Sequence, residues 1–232
     1  MKTRVHVART QDPYRGAGEV LDALAFKVRG KRVFIKPNLT GNRPSHEGMG
    51  VDTGMVRAVL ERLEDCPEIA IGESCSKTDR AFVDLGYTAL REKYPRLKLL
   101  DLRLSRSVWK AIPHPRHTKA MPFAREVFEY DYLVNIAKMK THSLAGVSLC
   151  LKNVFGFTPT RRQKLMYHPF IRTAVLDMNQ AIRSDFCLVD GVWGNEFDEI
   201  KSSPVNAGVV VGGENLLAVD EVAAAVMGID VG

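Results

Sequence analysis

Lys138, Lys140, His142 and Lys152 fall within residues 135–157, NIAKMKTHSLAGVSLCLKNVFGF, among Ile136, Leu144, Val147, Leu149, Leu151, Val154 and Phe155. Ammonium groups set among so many aliphatic side chains lose hydration, and a bound anion is what would offset that loss. An imidazole titrating near neutrality suits proton transfer beside the anion. In this reading Lys138 and Lys140 hold a phosphate or carboxylate, and His142 gives or takes a proton. Asp190 or Glu73 orients the substrate or a metal ion.

Other segments end in chemistry at equivalent places. VFIKPN delivers Lys36 and Asn38, IAIGES delivers Glu73 and Ser74, LVNIAKMKTH delivers Asn135 with the basic group, and CLVDG delivers Asp190. Ligands of open parallel sheets bind beyond the carboxyl ends of the strands, where such residues would converge. The spacing of Leu144, Val147, Leu151 and Val154 predicts a helix capped by Thr141 or Ser143. That would place Lys138, Lys140 and His142 at its anion-attracting N-terminus, with Lys152 near its C-terminus.

TPTRRQKLMYHP adds Arg161, Arg162, Lys164 and His168 with no acid, as a lid over an anion or a solvated loop. His114 and His117 in HPRH are a sparse metal motif without a carboxylate beside them. Asp190, Glu196, Asp198 and Asp220 supply carboxylates for a divalent ion or acid/base work, and helix capping explains most of them equally well. A phosphate-loop lysine motif, a dinucleotide glycine fingerprint and a nucleophile elbow are all absent, which argues against the commonest ATPase and dehydrogenase readings.

The elements that must carry these residues alternate along the chain. TRVHVA, KRVFIKPNL, EIAIGES, LKLLDL, DYLVNIA, FCLVDG and NAGVVVGG read as strands. GAGEVLDALAFKV, GMVRAVLERLE, DRAFVDLGYTALREKY, HPFIRTAVLDMNQAIR and NLLAVDEVAAAVMG read as helices, with Asp52 or Thr53 capping the second. SVWKAIPHPRHTKAMPFAREVFEY is broken by prolines into a strand, a loop and a short helix, and TGNRPSHEGMG is a turn-rich loop suited to covering a ligand. Strands apolar on both faces predict an α/β fold, a mostly parallel central sheet with helices on both faces, in one domain spanning residues 1–232.

The 232 residues are 45% hydrophobic and 26% charged, within the range of a globular protein. Net charge is +6, distributed unevenly: residues 102–176 hold 13 basic and 3 acidic side chains, and residues 177–232 hold 2 basic and 10 acidic. No Asp or Glu occurs from Tyr132 through Val175. A basic block raises the local concentration of anionic partners, which keeps nucleic acid as an alternative to a small anion. No apolar leader and no run of membrane-spanning length is seen, so a cytoplasmic setting without membrane insertion is expected. Cys66, Cys75, Cys150 and Cys187 lie far apart, with neither disulfide nor cluster spacing.

Taken in order, VFIKPNL, IAIGES, YDYLVNIAKMKTHSLAGVSLCLKNVFG, LVDGV and VVVGGENLLAVDEVAAAVMG resemble the widespread prokaryotic family called domain of unknown function 362, over about residues 31–228. Many members of that family carry a ferredoxin-like module with closely spaced cysteines. This chain has no such spacing, so no iron–sulfur cluster is expected on its own cysteines, although a ferredoxin-type partner would fit its basic face. The resemblance implies that Lys36, Asn38, Lys138, Lys140, His142, Lys152, Asn153, Asp190 and Asp220 form a common site. The roles expected there are catalysis for His142, Lys140 and Asp190, and ligand contact for Lys36, Asn38, Lys138, Lys152 and Asn153. Glu73, Asp190 and Asp220 are the metal candidates, and the cofactor is left open.

Overall fold

A computed structural model of the chain describes residues 3–197 and 201–230. The first half runs β1 (Val5–Arg9), α1 (Pro13–Ala23), β2 (Arg32–Pro37), α2 (Thr53–Leu60), β3 (Glu68–Glu73), α3 (Thr78–Asp84), α4 (Tyr87–Lys93) and β4 (Leu97–Asp101). Next come β5 (Ser107–Ala111), β6 (Ala120–Ala124), β7 (Tyr132–His142), β8 (Gly146–Ser148), α5 (Cys150–Asn153), α6 (Arg161–Tyr167) and α7 (Ile171–Ala181). The chain closes with β9 (Phe186–Asn195), β10 (Pro204–Val205), β11 (Val209–Gly213) and α8 (Leu216–Val226). Local chemistry starts the helices: Asp12 accepts from Tyr14 and Arg15 N–H ahead of Pro13, Asp52 accepts from Gly54 N–H, and Asn215 accepts from Ala218 N–H.

The main sheet has the order β1-β11-β9-β7-β2-β3-β4, with β10 on β9 and β8 on β7. The neighbours β9/β7, β7/β2, β2/β3 and β3/β4 are parallel, whereas β11 runs antiparallel to both β1 and β9. The fold is therefore α/β with a mostly parallel sheet. Strand alternation sends Val33, Ile35, Val134 and Ile136 to one face, where they pack with Val20 and Leu21 of α1 and Met55, Val56 and Val59 of α2. Phe34 and Leu133 go to the other face, under Met121 and Phe123 of β6 and Ile171, Ala174 and Met178 of α7. Farther along that face Ala137 and Met139 meet Val219 and Ala223 of α8.

The structure corrects two local readings and extends a third. Residues 141–149 are not helical: β7 continues through both lysines to His142, turns, and pairs back with β8 in the register Lys140 with Ser148 and His142 with Gly146. Gly146 has φ +84°, which a helix does not accommodate, and the helix-like spacing of Leu144, Val147 and Leu151 is coincidental. The single helix expected over 79–94 breaks at Gly86, φ +81°, into α3 and α4. The proline-rich segment has the expected strand, loop and short helix, as β5, the turn carrying HPRH and a 3-10 helix at Arg125–Glu129, and adds a second strand, β6, paired antiparallel with β5.

Candidate functional site

At the carboxyl ends of β2, β3 and β7 a polar network surrounds Lys36. Its ammonium is fully buried and donates to Glu73 Oε2 at 2.6 Å, Pro37 O at 2.8 Å and Asn153 Oδ1 at 3.1 Å. Glu73 also accepts from Leu39 N–H and Ser74 N–H, so each of its oxygens is engaged. The Asn153 amide nitrogen donates to Lys36 O, Ile136 O and Asn135 Oδ1, which ties α5 to β2 and β7. Asn38 donates to Asn153 Oδ1 at 3.3 Å. A buried pair of opposite charges with both carboxylate oxygens hydrogen-bonded is rigid, and it fixes the floor of a cavity of about 300 Å³.

Lys140 and His142 line the same cavity, as do Lys152 and Asn153 of α5 and Lys164 of α6. Lys140 donates to Thr40 Oγ1 at 3.0 Å and Met49 O at 3.2 Å, both neutral oxygens supplied by the loop between β2 and α2. Burial pulls its pKa down to about 7, with the ammoniums of Lys152, Lys138 and Lys36 acting in the same direction and Glu73 opposing them. His142 Nδ1 accepts N–H groups from Leu144 at 3.1 Å and Ala145 at 3.2 Å, which places the proton of the neutral ring on Nε2 and clamps the hairpin turn. Lys164 donates to Ser74 O at 2.6 Å and Ser74 Oγ at 2.7 Å, and burial lowers its pKa as well. Among the described lining residues Glu73 is the only carboxylate, against four lysines and the imidazoles of His142 and His168.

Lys138 and Asp190 sit apart from this cavity. Each is wholly buried, and they pair at 2.9 Å across the β7/β9 register, with Ser45 Oγ as the second acceptor of the Lys138 ammonium. Asp190 also accepts from Asp52 N–H and Val192 N–H. The pair thus anchors the α2 N-terminus to the sheet. Burial, reinforced by Asp190, raises the Asp52 carboxyl pKa. A bulge between Lys138 and Lys140 separates the two environments.

The remaining residues singled out in the sequence have other surroundings. Asp220 of α8 accepts N–H groups from Cys150 and Leu151 at 2.8 Å each, capping α5 from outside it. Asp177 of α7 accepts N–H groups from Arg116, His117 and Thr118, and His117 stacks on Phe170, so HPRH is held to α7 as an exposed loop. Arg161, Arg162 and Glu196 are exposed, and Asp198 lies outside the described residues. Among the described residues no group of three or more His, Cys, Asp and Glu side chains is arranged to hold a metal ion.

Sequence reasoning passed over Thr40, Cys75, Ser148 and Phe155, which also line the cavity. Thr40 carried a weak signal, following the IKPN strand end in a loop read as ligand-covering. Cys75 remains a thiol, its pKa raised by burial and by Glu73. Gly156 also lines the cavity with no room for a side chain: a Cβ there would lie 2.6 Å from Lys36 Cε and 2.7 Å from Glu73 Oε1. Gly156→Ala is expected to destabilise the protein by about 1–3 kcal/mol through overpacking against the buried pair. Chemical denaturation of the variant measures this, and unchanged stability would show that the pair has room to move.

The sequence model of the family described as domain of unknown function (DUF362) matches residues 33–225. A thylakoid-associated protein of Synechocystis sp. is 24% identical over 215 residues, which are 88% of this chain and 65% of the relative. This chain thus spans about two thirds of that relative's length. The lactate racemase apoprotein from Thermoanaerobacterium thermosaccharolyticum aligns with a TM-score of 0.49 and 13% identity, over 92% of this chain and 55% of the other. Among the described residues no helix is long and apolar enough to cross a membrane.

Proposed function

Since the chain belongs to the family described as domain of unknown function (DUF362), membership brings no reaction with it, and we propose from the geometry that the cavity binds a small carboxylated or phosphorylated molecule. One observation carries this reading. Four lysines line a cavity whose described walls offer one carboxylate, and that carboxylate is already paired with Lys36. An anion among Lys140, Lys152 and Lys164 would relieve the mutual repulsion that holds the Lys140 pKa down. The volume suits a small metabolite. His142, with its ring proton on Nε2, supports a second role as hydrogen-bond donor to such a ligand. Scattered free cysteines support a cytoplasmic setting.

Thermal denaturation with malonate, inorganic phosphate, pyruvate or a single-stranded oligonucleotide, each at low and moderate salt, tests the proposal. A small anion at 100 times its Kd should add about 2.7 kcal/mol of stability. Saturable stabilisation that survives moderate salt and disappears in Lys140→Met is the expected result. Stabilisation by the oligonucleotide alone, lost with salt, would replace the cavity with an electrostatic surface.

A further inference from the structure

Three lysines are buried at the carboxyl ends of adjacent strands, and they are not equivalent. Lys36 pairs with Glu73 at 2.6 Å and Lys138 with Asp190 at 2.9 Å. Lys140 has two neutral acceptors instead, Thr40 Oγ1 and Met49 O, and among the described residues no carboxylate forms an ion pair with it. A buried lysine beside other cations, without a carboxylate partner, is the arrangement that holds an amine uncharged and nucleophilic. The neutral amine has two hydrogens for its two acceptors, which leaves the lone pair for a carbon electrophile.

We propose that Lys140 is the nucleophile of this site and forms an imine with an α-oxo acid. This rests on the reading of the cavity as an anion site, and it names the class of anion: a carboxylate with an adjacent ketone or aldehyde carbon. Lys152 and Lys164, which line the same cavity, hold the carboxylate. The Lys140 nitrogen adds to the carbonyl carbon, and the oxygen takes up the developing negative charge among ammonium groups. The C–N double bond then forms as the carbonyl oxygen leaves as water, carrying both amine hydrogens. Electrons balance without oxidant or reductant. The charged groups acting on the amine are Lys36 of β2, Glu73 of β3, Lys138 of β7 and Lys152 of α5; together with burial they set its pKa at about 7.

The test is reductive trapping of the full chain with pyruvate and sodium borohydride near pH 7, followed by peptide mapping. An ordinary surface lysine is neutral in only about one part in 2,500 at that pH, against about half of Lys140, so labelling of Lys140 should exceed that of any surface lysine by about a thousandfold. Malonate, which has no reactive carbonyl, should suppress the Lys140 label saturably. Lys140→Arg should lose the label, and its circular dichroism spectrum should match that of the native chain, showing that the loss is of the amine and not of the fold. Should that variant fail to fold, the mapping and malonate competition on the native chain decide alone. Labelling spread over surface lysines with no excess at Lys140 would overturn the imine. Under that outcome, stabilisation by malonate would leave the anion site standing, and its absence would remove both.

Discussion

Replacing Asp190 by alanine is expected to destabilise the protein by about 3–5 kcal/mol, the range for removing one partner of a buried ion pair. Both side chains of the pair are fully buried, so the Lys138 ammonium would be left with Ser45 Oγ as its remaining hydrogen-bond acceptor and with no counter-charge. The N–H groups of Asp52 and Val192 would lose their acceptor too. Asp52 caps α2, so the damage would reach the packing of that helix. Guanidinium unfolding followed by circular dichroism measures the loss. The double variant Lys138→Met, Asp190→Leu should recover much of it, because an apolar pair requires no charge solvation. A loss for Asp190→Ala below about 1 kcal/mol, the worth of a surface pair, would show that the pair is hydrated.

Malonate affinity is expected to fall about tenfold per pH unit above pH 7, because the Lys140 ammonium, which meets the second carboxylate of malonate where an α-oxo acid would present its carbonyl carbon, loses its proton. The same group has an opposite signature in the free protein. Its folded pKa lies below the ordinary lysine value, so between about pH 7 and the lysine range near 10.4 the unfolded chain binds more protons than the folded one. Stability then rises with pH across that window, and the penalty is fully present below pH 7. Lys140→Met should remove both effects together: the binding slope, because binding is lost, and this contribution to the stability slope. Calorimetric titration with malonate from pH 6 to 9 checks the first, and denaturation of both proteins over the same range checks the second. Malonate affinity independent of pH across that range would mean that Lys140 keeps its proton or does not touch the anion. The other ionisable side chains lining the cavity are Lys36, Glu73, Cys75, His142, Lys152, Lys164 and His168, which is why the comparison with Lys140→Met is essential.

Much of the fold was legible because strand and helix periods are local properties. The β-branched and aromatic run in VFIKPN and the apolar run in NAGVVVGG need only their own residues to be read, and Asp52 or Thr53, standing before GMVRAVL, announced the helix that follows. The stretch after Thr141 defeated the same reasoning. Leu144, Val147, Leu151 and Val154 satisfy a helical period, while Lys138, Lys140 and His142 satisfy a strand period, and nothing local ranks the two. Pairing of residues 140–142 with 146–148 decides in favour of the strand, using a left-handed Gly146 and the His142 ring as acceptor for the turn.

By itself the sequence placed basic side chains at strand ends beside aliphatic ones, because the strand pattern of LVNIA runs directly into the acid-free stretch that carries them. It could not determine which of them would be neutralised. Glu73 is 37 residues from Lys36, and Asp190 is 52 from Lys138. Those pairs exist because β3 lies beside β2, and β9 beside β7, in register. Lys140 lies past a bulge, opposite Asn195 instead of an acid, and so alone among the three takes neutral partners. Strand order and register are properties of the assembled sheet, and through them the tertiary structure set the charge, and hence the chemistry, of each lysine.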